Sequence, residues 1–212
     1  MEEMFCFQCQ QTAHNSGCEG RAGVCGKKSD TANYQDELTG ALIGLSRAVC
    51  KKLALNPDAS FEHADELILK GLFTTITNVN FFNDTIIELI REVNVEKDRI
   101  YPDIMNYDVH HIWEDQEDIR SLKSLILFGI RGMAAYAYHA NVLNYEDAEV
   151  NRFFCEALFK IGYEENTETL LSTVLKVGEI NLKCMALLDK ANTETYGTPE
   201  PTEVTLTVEK GP

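Results

Sequence analysis

The apolar residues of this chain recur mostly at steps of three and four positions, which is the spacing of amphipathic α-helices. The first stripe predicts a helix over residues 38–53, which the Asn-Pro-Asp sequence at 56–58 brings to an end. A second helix is predicted over 67–73 with Ser60 as its N-cap, and a short third helix over 84–90.

The second half of the chain shows the same order of parts after a mixed connector. We expect this connector at residues 94–115, with a helical piece around 99–105. A long helix is predicted over 119–137 and a shorter one over 150–161, and a last long helix should end near Asn192. The last helix takes its apolar stripe from Leu171, Leu175, Gly178, Leu182 and Met185.

Each half can close as a three-helix bundle around its own stripe. The predicted fold is therefore all-α: two three-helix bundles, preceded by a Cys-rich cluster-binding loop and followed by a short extended C-terminal tail. The expected domains are residues 1–30 for the loop, 31–110 and 111–197 for the bundles, and 198–212 for a linker and strand leading into an α/β domain. The likeness of the halves is weak, and chance similarity between amphipathic helices explains it equally well.

The end of the chain has a different pattern. Pro199 and Pro201 break the helix, and residues 202–209 then alternate polar with apolar, mostly β-branched residues, as strands do. No upstream segment offers a strand partner, and an unpaired strand rarely stands alone. Either this tail is disordered or it enters a second domain that this chain lacks, and the regular alternation favours the second.

Composition and charge narrow the class of protein. The 212 residues are 44% apolar, enough for one large domain or two small ones. A net charge of −15 should repel nucleic acid and anionic membranes, so neither is expected as a partner. The acidic start Met1-Glu2-Glu3 does not resemble a signal peptide, and no apolar stretch is long enough to span a membrane. We expect a cytoplasmic protein, in which seven cysteines do not form a disulfide framework.

Candidate chemistry concentrates at the amino terminus. Cys6 and Cys9 form one Cys-x-x-Cys pair, eight residues separate Cys9 from Cys18, and six separate Cys18 from Cys25. Four thiolates on a glycine-rich loop suit a soft metal or an iron–sulfur cluster. Structural zinc sites usually pair two short knuckles, whereas a cluster accepts wider and uneven spacing, so the spacing favours iron–sulfur over zinc without excluding zinc.

The residues around the cysteines fit a cluster as well. Loop glycines allow backbone N–H groups to point at the sulfurs, which stabilises the reduced state. Lys27 and Lys28 should raise the reduction potential in the same direction, and Met4, Phe5 and Phe7 can exclude water on one side.

The remaining cysteines and histidines give weaker signals. Cys50, Cys155 and Cys184 occur singly on helical stretches, where core packing is the more frequent role. His14 lies inside the loop and could bind metal, but four cysteines suffice without it. The pair His110-His111 lies in a polar connector, and adjacent residues rarely reach one metal. No phosphate-binding glycine loop, zinc-protease motif or nucleophile elbow is present.

Residues 4–13, with 17–18 and 24–27, resemble the amino terminus of the hybrid-cluster protein family, the hydroxylamine reductases. The similarity covers essentially the whole chain and continues through 35–38, 71–78, 115–121, 185–189 and 196–197. This resemblance implies a helical domain of two three-helix bundles, followed in the family by two α/β domains.

The resemblance also implies a cofactor and an activity. In the family, the first four cysteines bind the proximal cluster, and by position these are Cys6, Cys9, Cys18 and Cys25. The gap after Cys9 resembles members with a 4Fe–4S cluster, while a longer gap accompanies 2Fe–2S. The family's hybrid iron–sulfur–oxygen cluster is held by later domains, so no catalytic residue is assigned here. The implied reaction of a complete protein is reduction of hydroxylamine to ammonia and water, with nitric oxide as a further candidate substrate and electrons from an external donor.

Three hypotheses follow for the chain itself. It is the electron-transfer portion of a hydroxylamine reductase, inactive alone; or a zinc-stabilised helical module that docks a partner; or a helical remnant that folds without metal.

Overall fold

Seven α-helices carry most of the described chain, which confirms the all-α prediction. The computed structural model describes residues 3–9, 12–163, 166–201 and 203. The helices are α1 (Ser29–Leu55), α2 (Glu62–Thr74), α3 (Asn83–Ile100), α4 (His110–Glu114), α5 (Glu117–Val142), α6 (Ala148–Tyr163) and α7 (Thr167–Tyr196). Ahead of them lie strands β1 (Met4–Cys6) and β2 (Cys18–Gly20), joined through a 3₁₀ turn, Ala13–Asn15.

Helix α1 is the centre of the fold. Every residue from 38 to 46 is buried, because α1 packs against α2, α3 and α6 and against strand β1. A helix that is buried all round needs small residues where a neighbour comes close, and Gly40 and Gly44 fill that role. The helix ends where the sequence predicts, with Asn56 donating its N–H to the Lys52 carbonyl ahead of Pro57.

One continuous cluster of buried side chains connects the two halves. Helix α1 of the first half packs on α6, and α2 packs on α5. The largest fully buried side chains come from both halves, including Leu42, Ile68, Ile126 and Phe154. The predicted boundary between residues 110 and 111 falls at the start of α4, and the division into two bundles stays a prediction.

Two details of the first half differ from the sequence analysis. The prediction of a helical segment around 99–105 is wrong. Helix α3 continues to Ile100 and stops there, because Pro102 forces Tyr101 into an extended conformation. Asp103 then adopts a left-handed conformation with φ of 67°. Ser60 is not an N-cap either, since α2 begins after Phe61 and no side chain caps it.

Helix α7 presents a different face to the core from the one its stripe predicts. Leu175 and Leu182 are 67% and 68% exposed, and Leu171 and Met185 also face solvent. The buried face is made by Leu170, Thr173, Ile180, Cys184 and Ala191. The helix also runs four residues beyond Asn192, to a left-handed Gly197 that ends it.

The predicted strand over residues 202–209 lies outside the described residues, Glu203 excepted. None of the helices that the structure describes is long and apolar enough to cross a lipid bilayer.

Two helical glycines give opposite predictions for the same substitution. A Cβ at Gly40 would collide with the backbone carbonyl of Tyr107, whereas Gly132 has no atom within 4 Å of that position. Gly132→Ala should therefore raise the free energy of unfolding by about 0.5–1 kcal/mol through helix propensity. Gly40→Ala should lower it by about 1–3 kcal/mol, because backbone must shift. Urea denaturation measures both, and stabilisation by Gly40→Ala would contradict this packing.

A second prediction concerns Asp65 on α2. Burial raises the pKa of its carboxyl from 3.8 to about 6, and the charge of Glu146 adds to this rise. Because the folded state holds this proton to higher pH than the unfolded chain, the contribution of Asp65 to stability is lost as pH rises from about 4 to 6. Asp65→Asn should thus stabilise the protein by about 1–2 kcal/mol at pH 7 and by nothing at pH 4. Unfolding followed across pH tests this, with the exposed Asp58→Asn as control; an equal gain at both pH values would contradict it.

Candidate metal centre

A short antiparallel ladder brings two of the candidate ligands together. Strand β1 pairs with β2 so that Cys6 lies directly opposite Cys18 and Met4 opposite Gly20. Side chains at directly opposed positions share one face of a ladder, with Cβ atoms about 4.5–5.5 Å apart. Cys18 is buried and Cys6 is half-buried, so the pair is partly withdrawn from water.

The other two cysteines lie on turns beside this ladder. Cys9 is at a bend three residues after Cys6, and its carbonyl accepts the Thr12 N–H. Cys25 lies in a turn in which Gly26 donates its N–H to the Gly23 carbonyl over 2.9 Å, and it is exposed. This turn contacts the ladder, because a Cβ at Gly23 would lie 3.6 Å from the Cys18 Sγ.

Two glycines are required by this geometry. Gly26 has a φ of +85°, which lets the chain reverse directly after Cys25. Gly17 precedes Cys18 and contacts the Phe5 ring so closely that any side chain would clash. Both positions were part of the glycine-rich pattern in the sequence.

Among the described side chains, no group of three or more His, Cys, Asp and Glu residues could hold a metal ion as they stand. The structure thus brings Cys6 and Cys18 together and places the turns of Cys9 and Cys25 beside them, and ligation by all four stays a prediction. His14 is exposed on the 3₁₀ turn, and His110 forms a hydrogen bond of 2.9 Å with Asp108.

Lys27 is a buried cation whose charge acts on Cys6. Its side chain is 3% exposed, and Nζ donates to the Gln35 Oε1 over 2.7 Å. Gln35 is fixed in turn by donating its Nε2 to the Asn80 carbonyl. The hydrogen-bond partner is a neutral amide, and the positive charge of Lys27 acts on two nearby acidic groups, Cys6 and Asp36. The neighbouring Lys28 is exposed, so the structure separates two residues that the sequence treats alike.

The electrostatics of Cys6 reflect this arrangement. Burial raises the pKa of the Cys6 thiol, while a hydrogen bond from the Gln8 backbone and the charge of Lys27 oppose the rise. A backbone N–H directed at a cysteine sulfur is the contact that the loop was expected to supply. Thiolate formation at Cys6 therefore depends on positive charge in the protein or on a bound metal.

Arg131 is a second buried cation, and sequence reasoning missed it. It donates Nε to the Thr75 hydroxyl over 3.1 Å and a guanidinium N–H to the Thr39 hydroxyl over 2.9 Å. Burial lowers its pKa to about 10, and the charges of Asp36 and Cys6 oppose this, so it remains protonated at neutral pH. An arginine inside the apolar stripe of α5 was the signal that could have revealed it.

Aromatic side chains attach the loop to the helices. The Phe7 ring lies 4.2 Å from the Trp113 ring and 5.9 Å from that of Phe128, on α4 and α5. Phe5 packs on Phe7 and Trp113, and Met4 is buried against Ala32 of α1. The expected water-excluding side of the loop is therefore present, and Trp113 belongs to it.

These residues fit an iron–sulfur cluster chemically. Four thiols are the donors that iron–sulfur clusters and soft metals prefer, and two buried cations complement a negatively charged group. The amide oxygen of Gln8, between Cys6 and Cys9, is buried without a hydrogen-bond partner in the described structure.

Comparison with known proteins agrees with this chemistry. The Prismane/CO dehydrogenase family model matches residues 4–212. A hydroxylamine reductase of Porphyromonas gingivalis is 38% identical over 236 residues, covering 100% of this chain and 43% of the relative. The hydroxylamine reductase of Methanocaldococcus jannaschii is 39% identical, covering 99% of this chain and 42% of the relative.

A third relative, the hydroxylamine reductase of Caldanaerobacter subterraneus, is 37% identical over 99% of this chain. The chain thus spans less than half the length of the relatives it matches, and the match includes the amino-terminal cysteines and all seven helices. The chain belongs to the Prismane/CO dehydrogenase family, whose members bind iron–sulfur clusters.

Proposed function

We propose that this chain is the iron–sulfur electron-transfer portion of a hydroxylamine reductase, with Cys6, Cys9, Cys18 and Cys25 as cluster ligands. The observation that carries the proposal is the pairing of Cys6 with Cys18, within range of the charge of the buried Lys27. A 4Fe–4S cluster is the proposed form rather than 2Fe–2S, because the eight-residue gap between Cys9 and Cys18 resembles that of family members with a 4Fe–4S cluster.

The bound cluster would supply reversible one-electron transfer. The chain's own residues adjust the cluster's reduction potential in two ways. Lys27 and Arg131 place positive charge near Cys6, which favours the more negative, reduced state. Phe7 and Trp113 exclude water on the helix side, so these charges act with little screening.

The proposed path of electrons begins at Cys25. This cysteine is exposed, so the cluster would approach the surface at its turn, and an external donor would deliver electrons there. In the complete protein they would continue to a hybrid cluster, where hydroxylamine takes up two electrons and two protons to give ammonia and water. Relatives are named hydroxylamine reductases, and this chain spans 43% of their length, so we assign it no catalytic residue.

Metal and sulfide analysis of the anaerobically purified chain tests the ligand set. We expect roughly four iron and four sulfide per chain, and no hydroxylamine turnover by these 212 residues alone. Cys18→Ser should lose most of the iron, because Cys18 is the buried member of the paired ligands. Cys184→Ser, far along the chain on α7, is the control and should keep it. Stoichiometric zinc without sulfide would support the zinc-stabilised module instead.

The two adjacent lysines test the electrostatic role. Lys27→Met removes a buried charge, so the cluster's midpoint potential should fall by on the order of 60 mV, which is a tenfold change for one electron. Lys28→Met removes an exposed charge, which solvent screens, and should shift the potential far less. Redox titration followed by visible absorbance measures both midpoint potentials. Equal shifts in the two variants would contradict a direct effect of the buried Lys27 charge on the cluster.

A further inference from the structure

A second pair of thiols lies between helices α1 and α6. The Sγ atoms of Cys50 and Cys155 are 3.8 Å apart, although the residues are separated by 105 positions in sequence. Cys155 is buried and its thiol also donates to the Ser46 carbonyl over 3.6 Å. Cys50 is half-buried. Core packing is confirmed for Cys155, which belongs to the core cluster, and Cys50 packs against that cluster. The pairing of their thiols was not predicted.

The two thiols have different environments. The hydrogen bond with Cys155 lowers the pKa of Cys50 against the opposing effects of burial and of the Glu156 carboxylate, and the Arg152 guanidinium adds a smaller lowering effect. The same hydrogen bond and burial raise the pKa of Cys155. The Cys155 S–H has two acceptors, the Ser46 carbonyl and the Cys50 sulfur, so it can turn to a Cys50 thiolate as that thiolate forms. Cys50 is therefore the thiol that attacks the oxidant, and Cys155 is the thiol that then attacks the oxidised Cys50.

A cavity gives small molecules access to both sulfurs. It has a volume of about 150 Å³, and its lining includes Cys50, Cys155, Phe61 and Arg152. A water molecule occupies about 30 Å³ in the liquid, so hydrogen peroxide fits with room to approach Cys50. The space beside the sulfurs is therefore large enough for a small oxidant to reach them.

We propose that Cys50 and Cys155 form a second redox site, a dithiol that a small hydroperoxide oxidises to a disulfide joining α1 to α6. In the first step the Cys50 thiolate attacks hydrogen peroxide, the O–O bond breaks, and the leaving hydroxide takes a proton to become water. In the second step the Cys155 sulfur attacks the Cys50 sulfenic acid, the S–S bond forms, and the S–O bond breaks with release of a second water. The two thiols lose two electrons in total, and one peroxide gains them.

This site is independent of the metal centre. Its two sulfurs belong to helices α1 and α6, and neither cysteine is among the proposed cluster ligands. Disulfides in reducing compartments are usually transient and sensory or catalytic, and a dithiol that can close and reopen fits that class. Closure would link α1, in the first half of the chain, covalently to α6 in the second.

Mass spectrometry of the metal-loaded chain tests the proposal. The protein is treated anaerobically with one equivalent of hydrogen peroxide, alkylated with iodoacetamide and digested. We expect one dominant linked pair, the Cys50 peptide joined to the Cys155 peptide, which dithiothreitol reverses. Cys50→Ser should abolish this pair, and Cys155→Ala should leave Cys50 as a sulfenic acid that dimedone labels.

Cys184 provides the matched control. It is a fully buried thiol, and burial raises its pKa to about 12. Cys184→Ser should leave the linked pair unchanged. In the unmodified protein at neutral pH, iodoacetamide should label Cys50 about tenfold faster or more than Cys184, a measurement that needs no variant. The proposal is overturned if peroxide leaves both Cys50 and Cys155 open to alkylation, or if dimedone labels Cys184 as readily as Cys50.

Discussion

The backbone pairing of β1 with β2 is the constraint on which the metal centre depends. Without it, the cysteines of the two halves of the loop would have no fixed relation, because the core at this end of the described structure is small: Met4, Cys18 and Ala32, with Cys6 and Ala13 packed against them. A ladder of three residues per strand is not stable alone. It persists here because helix α1 begins directly beneath it, with the Ser29 N–H bonded to the Arg21 carbonyl.

The helical body does more than support this loop, since it also supplies buried positive charge. Lys27 is fixed by an amide of α1, and Arg131 by hydroxyls of α1 and of the segment after α2. Neither depends on a carboxylate for its hydrogen bonds. A buried cation with neutral partners is costly unless an anion lies nearby. Asp36 is one such anion, because its charge acts on both Lys27 and Arg131, although burial raises its own pKa to about 6. Two cations against one carboxylate leave net positive charge near Cys6, which suits a cofactor with negative charge and connects the helices to the chemistry of the sulfurs.

Local patterns predicted part of this structure, and contacts between distant segments account for the rest. The stripe of α5 is correct because burial there follows a single apolar face, and that of α1 is correct because the middle of this helix is buried on every side. In α7 the apolar residues at 170 and 171 are adjacent, so the sequence alone could not decide which one faces the core. The cysteine motif is visible in the sequence, but the pairing of Cys6 with Cys18 is not. Strands of three residues are too short to show a recognisable alternation of polar and apolar residues. The contact between Cys50 and Cys155 depends on the packing of α1 on α6, which no local pattern encodes.

X-ray anomalous scattering at the iron edge, from crystals of the anaerobically purified chain, tests the cluster most directly. We expect iron peaks bounded by the sulfurs of Cys6, Cys9, Cys18 and Cys25, beside the buried ammonium of Lys27. A single peak at the zinc edge, or iron held without one of these four sulfurs, would contradict the proposed ligand set.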